Sequence, residues 1–193
     1  MSRSRRPELM DKEKIIQGVK LILEGIGEDP EREGLKRTPE RIYEFYREIF
    51  DGIKARPEKE LKLYTTVNKD ELIIVRDIAF YSMCEHHLLP FFGKVHIAYI
   101  PQENKITGFS HLVRIVETMS HKPTIQERLT TEIADTIYKI VGAKGLLVII
   151  EAEHLCLTMT GVKKPESKTV TSAVRGLLRK DATRAEAMAL IKQ

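Results

Sequence analysis

The segment ELIIVRDIAFYSMCEHHLLPFFGKVHIAYI, residues 71–100, decides the fold, because it predicts two β-strands with a short polar loop between them. Its first part, ELIIVRDIAFYS, is rich in β-branched and aromatic residues, which favour strands. In KVHIAYI, apolar and polar residues alternate, as they do on a half-buried strand. Consecutive strands with short connections pair antiparallel. The segment therefore predicts an antiparallel sheet.

Two helices and two more strands follow this pair. One helix is predicted to begin at Ser110 and a second one to be capped by Thr124, each with apolar residues at helical spacing. LLVIIEAEHLCLTM at 146–159 is the strongest strand pattern, KTVTSAV at 168–174 predicts the last strand, and a short helix is expected from about Ala182. Helices grouped between two strand pairs cover one face of a sheet, so this order predicts an α+β fold.

A helical pattern precedes the first strand. Residues 7–26 carry apolar side chains at helical spacing, and TPERIYEFYREIF predicts a second helix with Thr38 as its N-cap. We divide the chain into an N-terminal helical region, residues 1–60, which begins with a mobile basic arm, and a domain at 61–193. The predicted buried stripe of the second helix consists of Ile42, Phe45, Tyr46 and Ile49.

Composition and charge narrow the class of protein. With 42% apolar and 31% charged residues, the chain has the composition of a globular protein. No apolar run approaches the roughly 20 residues that cross a bilayer, and no apolar segment follows the basic N-terminus. We therefore expect a cytoplasmic protein that does not bind a membrane. In such a protein, cysteine usually serves metal binding or catalysis. The formal charge of +4 fits an anionic small molecule. Nucleic acid is not expected, because no aromatic-interleaved basic patch is present.

Cysteine and histidine cluster in the loop between the first two predicted strands. Cys84 and His87 are separated by two residues, a spacing that aims both side chains at one ion. Cys156 lies far along the chain on the strand predicted at 146–159, where alternation places it on the same face as His154. Two thiolates and one imidazole suit zinc, so these three residues are candidate metal ligands.

The residues alone leave three interpretations of this cluster open. If His86 or His154 also binds, the metal site is closed and structural. If neither does, the ion keeps an open position and both histidines are free to move protons. The third interpretation treats Cys84 and Cys156 as small buried apolar residues. Glu85 either orients a neighbouring histidine or is a solvated loop carboxylate.

Four segments together resemble the GTP cyclohydrolase I family: FYSMCEHHLLPFFGKVHIAYIP (80–101), QERLT (126–130), EAEHLC (151–156) and SKTVTS (167–172). The likeness runs from about Gly27 to the C-terminus. It implies the tunnelling fold (T-fold), with four antiparallel strands and two helices on one face, and it makes 61–193 the catalytic domain. It also implies a homo-oligomer, a decamer of two stacked pentamers with active sites between subunits.

The resemblance further implies an activity and a cofactor. The activity is hydrolysis of GTP at C8 of the guanine ring, which releases formate and gives 7,8-dihydroneopterin triphosphate, the first step of folate and pterin biosynthesis. The cofactor is zinc, bound by Cys84, His87 and Cys156. His86 and His154 match the proton-transfer residues of the family.

Residues of the substrate site are also implied by the resemblance. Glu127 and Gln126 match residues that hold the guanine ring, and a carboxylate accepts two hydrogen bonds from the base well. Ser110 matches a serine near the ribose and phosphates and is the third catalytic candidate. The predicted substrate-binding set is Glu127, Gln126, Arg114, Arg41, His111, Lys122 and Glu85.

Three positions depart from the family: His121 stands where arginine or glutamine is common, and the other two lie where the triphosphate is expected. His111 replaces the usual lysine in the segment FSH, and Thr160 replaces the usual arginine in TGV. Lys163 is a further candidate cation. Two hypotheses follow: the ordinary reaction with a rearranged phosphate grip, or a paralogue with the same zinc chemistry whose substrate lacks the triphosphate. A structural metal in a nucleic-acid-binding protein is a third, from another class.

Overall fold

The computed structural model describes residues 10–65, 71–103, 105–161 and 163–192. Contacts divide the chain into two compact units with the boundary between Asp51 and Gly52. The predicted basic arm lies outside the described residues, and the functional division near residue 60 stays a prediction. Within the described ranges, no helix combines the length and the apolar character that crossing a membrane requires.

The first unit contains the helices α1 (Lys12–Gly25) and α2 (Thr38–Ile49). Asp11 caps α1 by accepting a hydrogen bond from the Lys14 N–H at 3.1 Å. The predicted buried stripe of α2 is partly wrong, because its buried residues are Pro39, Tyr43 and Ile49, and Phe45 is exposed.

Along the chain, the second unit contains β1 (Leu63–Thr65), β2 (Ile73–Cys84), β3 (Pro90–Ile100), β4 (Lys105–Thr107), α3 (Phe109–Ser120), β5 (Pro123–Thr124), α4 (Gln126–Val141), β6 (Gly145–His154), α5 (Leu155–Thr158), β7 (Lys168–Gly176) and α6 (Asp181–Ile191). Short 3-10 helices lie at Pro57–Glu60 and Leu177–Arg179.

One sheet organises the second unit. Its strands follow the order β5-β2-β3-β6-β7, and the four long strands pair antiparallel. The two-residue β5 pairs parallel to the end of β2, with Thr124 opposite Cys84. Strands β1 and β4 form a separate two-stranded sheet. The predicted α+β fold with an antiparallel sheet is confirmed.

Helices α3 and α4 cover one face of this sheet. Their residues Leu112, Ile115 and Leu129 are fully buried in one core with Val148 and Ile150 of β6. Removing such side chains from water is the main stabilising contribution to the fold. Four antiparallel strands with two helices on one face are the arrangement that the resemblance to the T-fold implies. A smaller cluster on the sheet, which includes Ala187 of α6, consists of Ala98, Ile100, Leu147, Ile149, Leu178 and Ala187.

Both predicted threonine N-caps are wrong by one residue. The N-cap of α2 is Arg37, because the Thr38 N–H already donates to the Leu35 carbonyl at 2.8 Å and Thr38 lies inside the helix. The N-cap of α4 is Ile125. Thr124 is instead extended, since it pairs with the end of β2 in β5.

The strand predicted at 146–159 is too long. β6 ends at His154, which lies opposite Phe91, and the chain then turns into the four-residue helix α5. Neither neighbouring strand continues past this point, because β3 begins at Pro90 and β7 begins at Lys168. Backbone groups without a partner strand satisfy themselves within a helical turn. Cys156 therefore lies in α5 and does not share a strand face with His154.

Candidate active site

A tight loop between β2 and β3 carries two of the predicted ligands. The Leu88 N–H donates to the Cys84 carbonyl at 2.8 Å, and the Cys84 N–H donates to the Leu89 carbonyl at 2.9 Å. Leu88 has a φ of 51°, a left-handed conformation that turns the chain sharply. These bonds fold the loop back on itself, so that His87 returns beside Cys84.

The three predicted metal ligands lie together. The ligand atoms of Cys84, His87 and Cys156 are all within 4.8 Å of one another. Cys84 is buried, Cys156 is half-buried and His87 is exposed. Burial raises the pKa of the Cys156 thiol, and the nearby Cys84 raises it further. A bound cation would offset this, because metals bind the thiolate. In the described part of the chain, neither His86 nor His154 belongs to this group.

His154 lies at the end of β6 and is held by two contacts. Its ring stacks on Phe91 with centroids 4.7 Å apart and an angle of 2° between the planes. Its Nε2 lies 2.7 Å from Oε1 of Gln126. Burial lowers the pKa of His154, and the charge of Glu127 opposes this effect. The ring is therefore fixed in place.

Gln126 is the most enclosed of the predicted site residues, with 1% of its surface exposed. Its Nε2 donates to the carbonyl oxygens of Ile150 at 2.9 Å and Thr169 at 3.0 Å, and lies 3.0 Å from Oγ1 of Thr171. These bonds tie the start of α4 to β6 and β7. The polar atoms of the Gln126 side chain thus bind other residues of this chain.

Glu85 and Arg128 join the metal loop to the first turn of α4. Two hydrogen bonds of 2.6 and 3.1 Å link the guanidinium to both carboxylate oxygens. The hydrogen bond from Arg128 holds the pKa of the Glu85 carboxyl below its usual range. Since Glu127 precedes Arg128, this pair fixes the loop beside the residues predicted to hold the base.

The residues predicted to contact phosphates differ in their exposure and in their partners. His111 is buried, its Nε2 lies 3.3 Å from the Tyr64 hydroxyl, and its Nδ1 is without a hydrogen-bond partner among the described residues. The Lys122 ammonium donates to Glu132 at 2.6 Å. Three further predicted side chains, which are exposed, are Arg114 and Ser110 on α3 and Arg41 on α2.

Two positions near the third ligand complete the predicted set. The Thr160 hydroxyl donates to the Cys156 carbonyl at 2.5 Å, so it closes the turn after α5. Lys163 is exposed and has a φ of 45°. Neither residue belongs to the group of metal-ligand candidates.

Sequence reasoning missed three residues around His154 and Glu85. Phe91 stacks on His154, Arg128 pairs with Glu85, and Thr171 contacts Gln126. Arg128 and Thr171 both lie within segments that carried the family resemblance, QERLT and SKTVTS. Their partners are distant in sequence, so no local pattern identifies the contacts.

Known proteins resemble this chain over nearly its whole length. The family model described as GTP cyclohydrolase I matches residues 15–192. The GTP cyclohydrolase 1 of Carboxydothermus hydrogenoformans is 57% identical over 184 residues, which covers 95% of this chain and 96% of the relative. The GTP cyclohydrolase 1 of Pelotomaculum thermopropionicum is 58% identical over 185 residues, which covers 95% of this chain and 98% of the relative. That of Bacillus subtilis is 51% identical over 185 residues, which covers 95% of this chain and 97% of the relative.

A solved structure, the archaeosine synthase QueF-Like in the apo form, is 13% identical to this chain with a TM-score of 0.47. The match covers 56% of this chain and 97% of the chain in that structure. Fold and site define a T-fold protein with a candidate metal centre. The near full-length matches are more specific, and the chain belongs to the GTP cyclohydrolase I family.

Proposed function

We propose that this chain hydrolyses GTP at C8 of the guanine ring, releases formate and forms 7,8-dihydroneopterin triphosphate, the entry to folate and pterin biosynthesis. The family and the relatives named GTP cyclohydrolase 1 support this reaction. The structural observation that carries it is the group of Cys84, His87 and Cys156, which leaves His86 and His154 outside. A metal ion bound by three protein ligands keeps an open coordination position for water, and the two histidines outside the group can transfer protons.

Zinc is the metal that fits these donors best. Zinc–sulfur bonds are about 2.3 Å and zinc–nitrogen bonds about 2.0 Å, so the ligand atoms of one ion lie within about 4.6 Å of each other. The observed limit of 4.8 Å is close to this value. When bound, zinc supplies a Lewis acid that makes water an effective nucleophile near neutral pH.

Two histidines supply proton transfer in this proposal. The lowered pKa of His154 favours a neutral ring at neutral pH, and a neutral imidazole both accepts and donates protons. His86 is exposed and adjoins the ligand His87 in the metal loop. Protonation of a guanine ring nitrogen by such a group makes C8 more electrophilic, which promotes attack by water.

Recognition of the base is assigned to the start of α4. Glu127 is exposed in the first turn of this helix, where the helix dipole favours a carboxylate. Its two oxygens accept hydrogen bonds from the guanine N1–H and amino group. Glu85 and Gln126, which were predicted to bind substrate, support this region through Arg128 and His154. Ser110 is assigned to the sugar steps.

Binding of the triphosphate is assigned to exposed cations. His111 is buried and Lys122 is paired with Glu132, whereas Arg114 and Lys163 are exposed, so we assign the phosphates to these two cations. The role of Arg41, which belongs to the first unit, stays a prediction from the family resemblance. The comparisons do not support the alternative of a paralogue with a substrate that lacks the triphosphate, because relatives named GTP cyclohydrolase 1 match over nearly the whole chain.

We also propose a cytoplasmic homo-oligomer, a decamer of two stacked pentamers with active sites between subunits. β7 is an edge strand of nine residues, and Val170 on it is 61% exposed. An edge strand of this length is a template for pairing with another chain. Analytical ultracentrifugation tests this, and a monomer at micromolar concentration contradicts it.

Product analysis tests the reaction itself. The zinc-loaded chain is incubated with GTP, and formate release is measured together with a pterin that becomes fluorescent after oxidation. GMP and guanosine serve as parallel substrates. We expect turnover of GTP in preference to both. Formate released equally well from guanosine would overturn the assignment of the triphosphate, and no formate from any of the three would overturn the reaction.

A further inference from the structure

We propose that Gln126 is the positioning residue of His154: it keeps the Nε2 of the imidazole protonated and leaves Nδ1 as the nitrogen that exchanges protons with the substrate. The exchange itself rests on the proposed function. The protonation pattern does not, because it follows from the hydrogen bonds around the two side chains.

The orientation of the Gln126 amide is fixed by two backbone carbonyls. One end of the amide faces the oxygens of Ile150 and Thr169 at 2.9 and 3.0 Å. Carbonyl oxygens only accept hydrogen bonds, so the group that faces them must be the NH₂ group. The opposite orientation would place the amide oxygen of Gln126 against the carbonyl oxygens of Ile150 and Thr169, and none of the three has a hydrogen to donate. The oxygen Oε1 of Gln126 therefore faces His154.

This orientation determines which nitrogen of His154 carries a proton. An amide oxygen has no hydrogen to donate, so at 2.7 Å the Nε2 of His154 must be the donor. Nε2 is then protonated in both the neutral and the charged ring. The two states then differ only at Nδ1. Proton exchange is thereby directed to Nδ1.

Two hydroxyl groups make the arrangement resistant to reversal. The Thr130 hydroxyl donates to the Gln126 backbone carbonyl at 2.7 Å. The 2.7 Å contact between Thr130 and Thr171 therefore uses the hydrogen of Thr171, whose oxygen lies 3.0 Å from Nε2 of Gln126. Reversing the amide would disturb each bond in this chain. Because Gln126 is 1% exposed, water does not replace the lost bonds.

Stacking is a second constraint on the ring. The ring of His154 lies parallel to Phe91 with centroids 4.7 Å apart, and its Nε2 is bound to Gln126, so two contacts hold its orientation. Gln126 thus acts through His154. Its side-chain NH₂ group has three partners inside the chain, and this distinguishes it from Glu127, whose exposed carboxylate faces outward.

Solid-state ¹⁵N NMR on the full-length, zinc-loaded protein with ¹⁵N-labelled histidine tests the protonation pattern directly. Signals of His154 are identified by their loss in His154→Gln. At a pH where the ring is neutral, we expect a protonated Nε2 and an unprotonated Nδ1. A neutral ring with its proton on Nδ1 would overturn the proposal. This readout needs no substrate, so it stands apart from failure of the GTP assay.

Gln126→Met tests the positioning role, because methionine keeps the length of the side chain and removes the acceptor. We expect both neutral forms of His154 in the NMR spectrum and a fall in kcat of about 100-fold, within the usual contribution of general acid–base catalysis, with KM for GTP little changed. A raised KM with an unchanged kcat would show that Gln126 holds the base instead. Gln17→Met, the same change on the exposed surface of α1, is the matched control.

Discussion

His154 is half-buried and His111 is buried, but their ring nitrogens differ in the hydrogen bonds that the surrounding chain offers them. Nε2 of His154 meets the amide oxygen of Gln126, whose NH₂ group donates to two backbone carbonyls and lies 3.0 Å from Oγ1 of Thr171. The Nε2 of His111 lies 3.3 Å from the Tyr64 hydroxyl, the two rings stack with centroids 6.2 Å apart, and the buried Nδ1 has no hydrogen-bond partner among the described residues. A buried polar atom without a partner costs about 1–3 kcal/mol. Among the described residues, the chain therefore satisfies the polar atom of His154 that it encloses and leaves one of His111 unsatisfied.

The largest effect is expected from the metal ligands. Cys156→Ala leaves Cys84 and His87 as the only two members of the group. We expect metal affinity to fall by more than about 100-fold, since altering residues behind metal ligands already costs about 10–100-fold, and GTP turnover to be lost. Metal content after dialysis, measured by mass spectrometry, checks this. Met159→Ala, at an exposed position nearby, should retain its metal.

The next effect concerns the pair that joins the metal loop to α4. Arg128→Ala releases Glu85 from its two hydrogen bonds. We expect kcat to fall by about 10-fold, at the lower end of the cost of losing groups that orient metal ligands. The double variant Glu85→Arg, Arg128→Glu should recover part of the loss, because the pair is restored in reverse. Equal loss in the single and double variants would show that charge pairing is not what matters.

A paired comparison of two substitutions tests the contrast between the histidines. Thr171→Val removes the hydroxyl that donates to Thr130 and lies 3.0 Å from Nε2 of Gln126, and we expect it to lower the free energy of unfolding by about 1–3 kcal/mol. His111→Leu relieves the cost of the unpartnered nitrogen but loses the hydrogen bond and the stack with Tyr64, so the two effects offset and we expect a change of less than about 1 kcal/mol, of either sign. Urea denaturation of both variants measures this. A larger loss for His111→Leu would reverse the interpretation of the two regions.

Sequence patterns predicted this fold where the cause is local. The stripes of α3 and α4 and the alternation in β3 follow from their own residues, and the spacing of Cys84 and His87 follows from one short loop. The end of β6 could not be predicted in this way, because it depends on where β3 and β7 begin. The burial of His111 likewise depends on β1, a strand distant in sequence.

The same limit explains which site residues were found. Metal ligands have a restricted chemistry, so cysteine and histidine stand out in a chain with two cysteines and six histidines. Glutamine and arginine have many uses. The roles of Gln126 and Arg128 become visible only when the carbonyls of β6 and β7 and the carboxylate of Glu85 lie against them.

The smallest effect is expected from an ion pair on the exposed face of the sheet, which contrasts with the buried bonds of Gln126. The Lys168 ammonium donates to Glu151 at 2.7 Å and lowers the pKa of that carboxyl. A lowered carboxyl pKa contributes stability that is present above the unfolded pKa of about 4.3 and is lost as the pH falls through the folded value. We expect Glu151→Gln to lower Tm by less than about 2 °C at pH 7, and the difference from the unsubstituted chain to vanish in acid. Differential scanning calorimetry at several pH values checks this, and a difference that grows toward low pH would contradict the sign. Salt should reduce it as well, because exposed pairs are screened and the enclosed hydrogen bonds of Gln126 are not.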